Sequence, residues 1–204
     1  MRIVKTEVIA TALKLLDEVG MEGLTMRKLA DALNVQAPSL YWHFANKDAL
    51  LEGMADALME PVATNNPEGE AWDARLGRVA SEVRYALLSR RDAARVFAGT
   101  YPLSGNVLRV GSLLIGSLKQ AGADDRTASW GAFTLVYFVI GFVIEEQGLA
   151  RGTEPAGQDE NALAAKFPLA AIAMREIAGA NADQRFAFGL DLQIMGLKAA
   201  LRLS

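Results

Sequence analysis

The residues able to do chemistry gather between Leu24 and Lys47, in the run LTMRKLADALNVQAPSLYWHFANK. Cations stand at its two ends, Arg27 and Lys28 at one and Lys47 at the other. Between them lie the short or polar residues Gln36, Ala37, Pro38, Ser39, Tyr41 and His43, with Thr25 just ahead. Such a set suits contact with nucleic acid rather than bond breaking. Guanidinium, amide and hydroxyl groups match the donors and acceptors of base edges, and cations and hydroxyls meet phosphates. Elsewhere the chain offers little to catalysis. There is no cysteine and only one histidine, His43, so disulfides, thiolate sites and multi-histidine metal sites are excluded within one chain. The acidic pairs Asp124/Asp125, Glu145/Glu146 and Asp159/Glu160 are sequence neighbours, whose side chains diverge on a helix. No glycine motif that cradles phosphate is present. No catalytic residue, cofactor or metal site is expected.

These residues need a scaffold, and 204 residues suffice for one large domain or two small ones. With 51% hydrophobic and 22% charged residues the balance is that of a globular protein. The net charge is −3, and residues 1–48 carry six basic and six acidic side chains. DNA binding must therefore rest on where the charge is placed. Residues 1–20 alternate apolar and charged positions, so no secretory leader is expected and the compartment inferred is the cytoplasm. Residues 127–144 run without a charge, near the length of a membrane span, but acidic residues flank both ends. A helix buried on most sides of a bundle is the expectation there, with no membrane partner.

Helical period and punctuation recur along the whole chain. Helices are expected over about residues 4–20, 25–33, 36–44, 47–60, 71–89, 91–98, 104–121, 125–147, 168–178 and 183–203. Gly20 is placed as the terminator of the first, and Gly122, Gly148 and Gly179 follow three others. Residues 149–162 are read as a mobile loop. A composition break at 64–70 divides the chain into a domain at 1–62 and another at 63–204. Within the first, two short helices joined by a few residues have helix-turn-helix spacing. Ala30 is the small residue at the crossing, Asn34 supplies the turn, and Val35 and Leu40 lock the second helix down. Trp42 and Phe44 are expected to pack the domain.

The runs GLTMRKLA, LYWHF and Asn46-Lys47 resemble the amino-terminal domain of the tetracycline repressor (TetR) family. The likeness extends further. The run ALLSRRD at 86–92, then Gly99-Thr100, GFVIEEQ at 141–147 and FGLDL at 188–192 are similar to the ligand domain of the tetracycline repressor itself. The resemblance implies an all-α fold of about ten helices, with helices 1–3 on double-stranded operator DNA and helix 4 as connector. The remaining helices hold an inducer, and helices 8 and 10 form a homodimer. The uncharged 127–144 stretch agrees with such a seam, as do Gly131, Gly141, Gly189 and Gly196, which suggest close helix approach.

By position, the resemblance makes Arg27 a base contact and Thr25, Tyr41, His43 and Lys47 phosphate contacts, with Lys28, Gln36, Ala37, Pro38 and Ser39 completing the DNA-binding set. Ala37 replaces a base-reading glutamine and Ser39 a threonine, which implies a different operator. The implied ligand lining is Val79, Val83, Phe97, Thr100, Tyr101, Leu113, Thr134, Phe138 and Glu145. Phe97 stands where the family's metal-binding histidine would be and Leu113 where a glutamine would be. The expected inducer is therefore small, largely apolar and not a magnesium–tetracycline chelate. A ligand-responsive repressor is the leading reading. A helix-turn-helix activator, or a regulator without a small-molecule inducer, is the alternative.

Overall fold

The computed structural model describes residues 3–100, 103, 105–149 and 164–203. Tyr101, the expected loop from residue 150 to 162 and the Asp159/Glu160 pair lie outside these. Among the described residues there is no strand. The helices are α1 (Lys5–Gly23), α2 (Met26–Ala32), α3 (Ala37–Tyr41), α4 (Lys47–Leu58) and α5 (Trp72–Leu88). After them come α6 (Ala93–Ala98), α7 (Gly105–Gln120), α8 (Asp125–Leu149), α9 (Pro168–Gly179) and α10 (Ala182–Leu203). The chain punctuates several of them itself. Thr25 Oγ1 accepts the Lys28 N–H at 3.2 Å, Asn46 Oδ1 the Ala49 N–H at 2.8 Å and Asp124 Oδ1 the Thr127 N–H at 2.7 Å. Each satisfies a donor that the first helical turn leaves orphaned. The bond from Thr127 also holds the Asp124 carboxyl below its ordinary range.

Two apolar cores form. Leu16, Leu29, Leu40, Phe44, Leu50 and Met54 belong to the first, which closes over α1–α3 and the start of α4. The second begins at Leu58 and collects Leu76, Leu87, Leu114, Leu118, Leu135 and Val143 from α5, α7 and α8. One helix of six residues serves both: Val96 of α6 is buried in the first core while its neighbours Ala93 and Ala94 are buried in the second. Among the described residues, only α4 and α6 contribute buried residues to both cores.

Several expected details differ. Gly20 interrupts α1 with a positive φ, as its placement as terminator anticipates, but it is not the last residue of the element. It sits at φ 70, ψ 175 as a kink, and a further turn continues to Gly23. The reason is long range. The Met21 N–H donates to Asp92 Oδ2 at 3.0 Å, and a Cβ on Gly20 would come within 2.9 Å of that same oxygen. Gly122, at φ 93, does follow α7 as a left-handed terminator, whereas Gly148 lies inside α8 and Gly179 is the last residue of α9.

Helix α8 is not buried on most sides within one chain. Its most apolar window is only 33% buried, with Trp130, Phe133 and Tyr137 exposed beside Phe188, Leu192 and Met195 of α10. The four glycines split accordingly. A Cβ on Gly131 would meet Leu197 Cδ2 at 2.7 Å, and one on Gly189 would meet the Phe138 ring at 2.6 Å, so those two serve packing inside the chain. A Cβ on Gly141 or Gly196 would meet nothing within 4 Å, and Gly141 borders the cavity described below.

The sequence reading missed Arg84. It is 3% exposed, forks onto Glu146 (2.7 and 3.0 Å) and reaches Asp183 at 2.7 Å. Its guanidinium lies 4.8 Å from the Phe186 ring centre. This ties the end of α8 to the start of α10 across α5.

Candidate nucleic-acid interface and ligand cavity

The turn between α2 and α3 follows from local chemistry. Asn34 adopts φ 53, which asparagine tolerates better than most residues, and the Val35 N–H reaches back to the Ala30 carbonyl at 3.0 Å. Leu29, Ala30 and Leu40 are buried beneath it. Burying Leu40 at the inner face of a five-residue helix turns its other residues outward. Arg27, Lys28, Gln36, Pro38 and Tyr41 are exposed, while Ser39 and His43 are half-buried. Ala37 is half-buried against the first core, and Gln36 is the residue capping α3. Thr25 is exposed with its hydroxyl engaged as the α2 cap. Lys47 opens α4, and its Nζ donates to the Met21 carbonyl at 3.4 Å.

Trp42 departs from the expectation that it packs the domain: it is 90% exposed. Leu40 and Phe44 take the inward positions four residues apart, and Trp42, halfway between, points away from them. An indole this exposed beside Tyr41 is an apolar element of the outward face, absent from the predicted set.

A cavity of about 540 Å³ lies within the second domain, in the size range of small-molecule sites. Val83, Phe97 and Thr100 line it, as the sequence resemblance implied. The other implied residues stand elsewhere. Val79 is wholly buried in the core and Leu113 packs against it. Phe138 is turned onto Phe186, ring centres 5.5 Å apart, and over Gly189. Thr134 and Glu145 are on the exposed side of α8 and do not line the cavity. The buried Glu145 anticipated from sequence is therefore not found within one chain.

The lining that sequence reading missed comes from Met59, from Val107, Leu108, Val110, Gly111, Leu114 and Ile115 of α7, and from Phe133, Val136, Tyr137 and Ile140 of α8. Their helical spacing is that of any core stripe, so nothing local marked them. Among the described residues no charged side chain lines the cavity. Its polar groups are few: Ser112, Tyr137 and Thr100, whose Oγ1 already donates to the Phe97 carbonyl at 3.0 Å.

Cavity and outward face are linked. Phe97 lines the cavity and Val96, beside it, sits in the core of the first domain. Around α6 the domains are clasped by ions. Asp17 accepts from Arg90 Nη1 at 2.7 Å and from the Arg91 N–H at 2.9 Å, and Glu22 accepts from Arg95 Nη2 at 2.9 Å.

Residues 8–54 match the family model described as bacterial regulatory proteins, tetR family, and residues 65–201 match the tetracyclin repressor-like C-terminal domain. The chain is 37% identical over 201 residues to the tetracycline repressor protein class C of Escherichia coli, spanning 97% of this chain and 91% of that one. The crystal structure of a possible TetR family transcriptional regulator from Streptomyces coelicolor superposes with a TM-score of 0.86 at 37% identity, covering 97% of this chain and all of that one. The Streptomyces coelicolor TetR family protein ActR in complex with actinorhodin gives a TM-score of 0.83 at 29% identity, covering 98% and 99% of the two chains.

Proposed function

The chain belongs to the tetR family of bacterial regulatory proteins, ligand-responsive repressors that bind operators as homodimers, and on that premise we propose that its inducer is an uncharged, largely apolar polycyclic molecule taken up without magnesium. One observation carries this reading: among the described residues, the cavity wall holds no charged side chain. An anionic chelate or a metal ion would lose its hydration there without a compensating partner, which costs several kcal/mol or more by order of magnitude. Phe97 supplies a ring face where a metal would need imidazole, and Phe133 and Tyr137 add two more rings, 5.9 Å apart. Relatives point both ways, one named for tetracycline and one solved with actinorhodin. The proposed contacts are Val83, Phe97 and Thr100 together with Met59, Val107, Phe133 and Tyr137.

On the DNA side, Arg27 reads a base edge and Lys28, Tyr41, His43 and Lys47 hold phosphates, with Gln36, Pro38, Ser39 and the exposed Trp42 facing the groove. The heads of the homodimer address two half-sites roughly 34 Å apart. Repression follows while the heads keep that separation. An inducer releases DNA because it prefers the arrangement in which they do not. The protein works in the cytoplasm as a regulator rather than an enzyme.

Titration of the purified homodimer tests the ligand chemistry. Neutral phenylnaphthylamine is expected to bind, with its fluorescence rising to saturation, and tetracycline to bind no better with magnesium than without. Tight magnesium-dependent tetracycline binding would overturn the reading.

A further inference from the structure

Beyond α6, the structure holds a second connection between cavity and DNA head, at the far end of α4. Asp56 of α4 reaches across to the first turn of α7. Its Oδ1 accepts the Asn106 N–H at 2.8 Å and the Val107 N–H at 3.2 Å, and its Oδ2 accepts from Asn106 Nδ2 at 3.1 Å. The opening donors of α7 are thus satisfied by a side chain from another helix. In return, Arg109 of α7 closes the end of α4. Nη1 donates to the carbonyls of Val62 at 2.6 Å and Ala63 at 3.2 Å, and Nη2 to those of Met59 at 3.0 Å and Glu60 at 3.2 Å. A guanidinium on the exposed carbonyls of a helix end satisfies acceptors and complements the helix dipole. Both helices therefore cap each other.

Two residues make this joint more than a brace. Val107 lines the cavity with its side chain while its N–H is held by Asp56. Met59 lines the cavity while its carbonyl is held by Arg109. Whatever fills the cavity presses on both partners of the joint at once. Helix α4 begins at Lys47, beside the recognition helix, and its residues Leu50, Leu51 and Met54 are buried in the head core. A tilt imposed at the Met59 end must move the head.

We propose that Asp56 and Arg109 are positioning residues that set the separation of the two DNA heads and carry cavity filling to them through α7, in parallel with α6. The proposal rests on the reading of the cavity as the inducer site.

The chain lacks cysteine, so Asp31→Cys on the exposed face of α2 gives one spin label per head in the full-length homodimer. Head separation is then read by double electron–electron resonance. Gly111 lines the cavity and its Cβ position is open, so Gly111→Phe serves as a built-in occupant. In the otherwise native protein, Gly111→Phe is expected to shift the mean separation. Arg109→Met is expected to broaden the distribution and remove at least half of that shift, Arg109→Lys to recover part of it, and Asp56→Ala to behave like Arg109→Met. Arg75→Met is the control. Arg75 pairs with Glu70 and Gln120 without touching α4, and its loss should leave both quantities as in the parent.

An unmoved mean on Gly111→Phe overturns the proposal, as does a shift that survives Arg109→Met and Asp56→Ala, or equal broadening by Arg75→Met. Should Arg109→Met fail to give a folded dimer, Arg109→Lys and Asp56→Ala carry the comparison. Failure of the parent to prefer any duplex from its own locus, with these distances behaving as stated, would instead sink the assignment of function.

Discussion

The two domains solve the same packing problem to different degrees. The DNA head, though smaller, is nearly closed: the inner faces of α1 to α4 meet in one core, into which Val96 of α6 inserts, and its outward α2–α3 face is mostly charged, polar or aromatic. The ligand domain is larger but unfinished in a single chain. It keeps a cavity of about 540 Å³ and leaves aromatic side chains of α8 and α10 bare. The homodimer seam expected on α8 and α10 falls on that face, where a partner would bury exposed apolar area. A head with so compact a core can be moved as a rigid unit. A body with a void can change shape when the void is filled.

The most damaging way to break this contrast is inside the head. Leu40→Ala empties the spot on which α3 is seated, at a cost of about 2–5 kcal/mol for a wholly buried leucine. Thermal unfolding should show an early transition, operator binding should vanish, and the dimer should survive in sedimentation. Loss of the dimer as well would show that the domains fold as one unit. Arg84→Ala attacks the body instead. It leaves Glu146 without its fork inside the protein, a loss of about 3 kcal/mol, at the low end for a broken buried pair because Asp183 is well exposed. Here dimer melting should fall while head contacts with DNA are spared, and Arg84→Met should recover part of the packing over Phe186.

Gly20→Ala probes the connection between the two. A side chain at that positive φ costs about 1–3 kcal/mol, and its Cβ crowds Asp92 Oδ2. The expected outcome is weaker operator binding with an unchanged response at the cavity, measured by anisotropy of labelled DNA. A cavity response lost to the same extent would make α1 part of the ligand site.

The smallest effect is acidic. Hydrogen bonding and charge from Arg78, and then Arg75, hold the Glu70 carboxyl below its usual 4.5, so its contribution is present above that value and fades as pH falls through the lowered folded one. Melting of the body should decline slightly more steeply than that of the head below about pH 4.5, and Glu70→Gln should remove part of that difference, the lowered Asp73 and Asp124 carboxyls keeping the rest.

How much could be read in advance differs between the domains for the same reason. Thr25, Asn34, Pro38 and Asn46 act on backbone groups within a few residues, so the helices and turn of the head were legible to within a turn. Trp42 was misjudged because helical spacing alone cannot say which aromatic faces inward once Leu40 and Phe44 have claimed the core. In the body, Leu114 lines the cavity and Leu113, about 100° around the helix from it, does not. Glu145 carries the family's spacing yet lies on an exposed face, and Arg84 gave no local signal at all.

From the sequence alone came the all-helical class, the family likeness with its helix-turn-helix head, and Val83, Phe97 and Thr100 as cavity residues. Those properties are set by periodicity, caps and residue type, which act over a few positions. Tertiary structure alone decided which stripe of α7 and α8 opens onto the cavity, why Gly20 is a kink, and how α4 and α7 cap each other. The last two depend on groups 46 to 71 residues apart, and all three on the packing of whole helices.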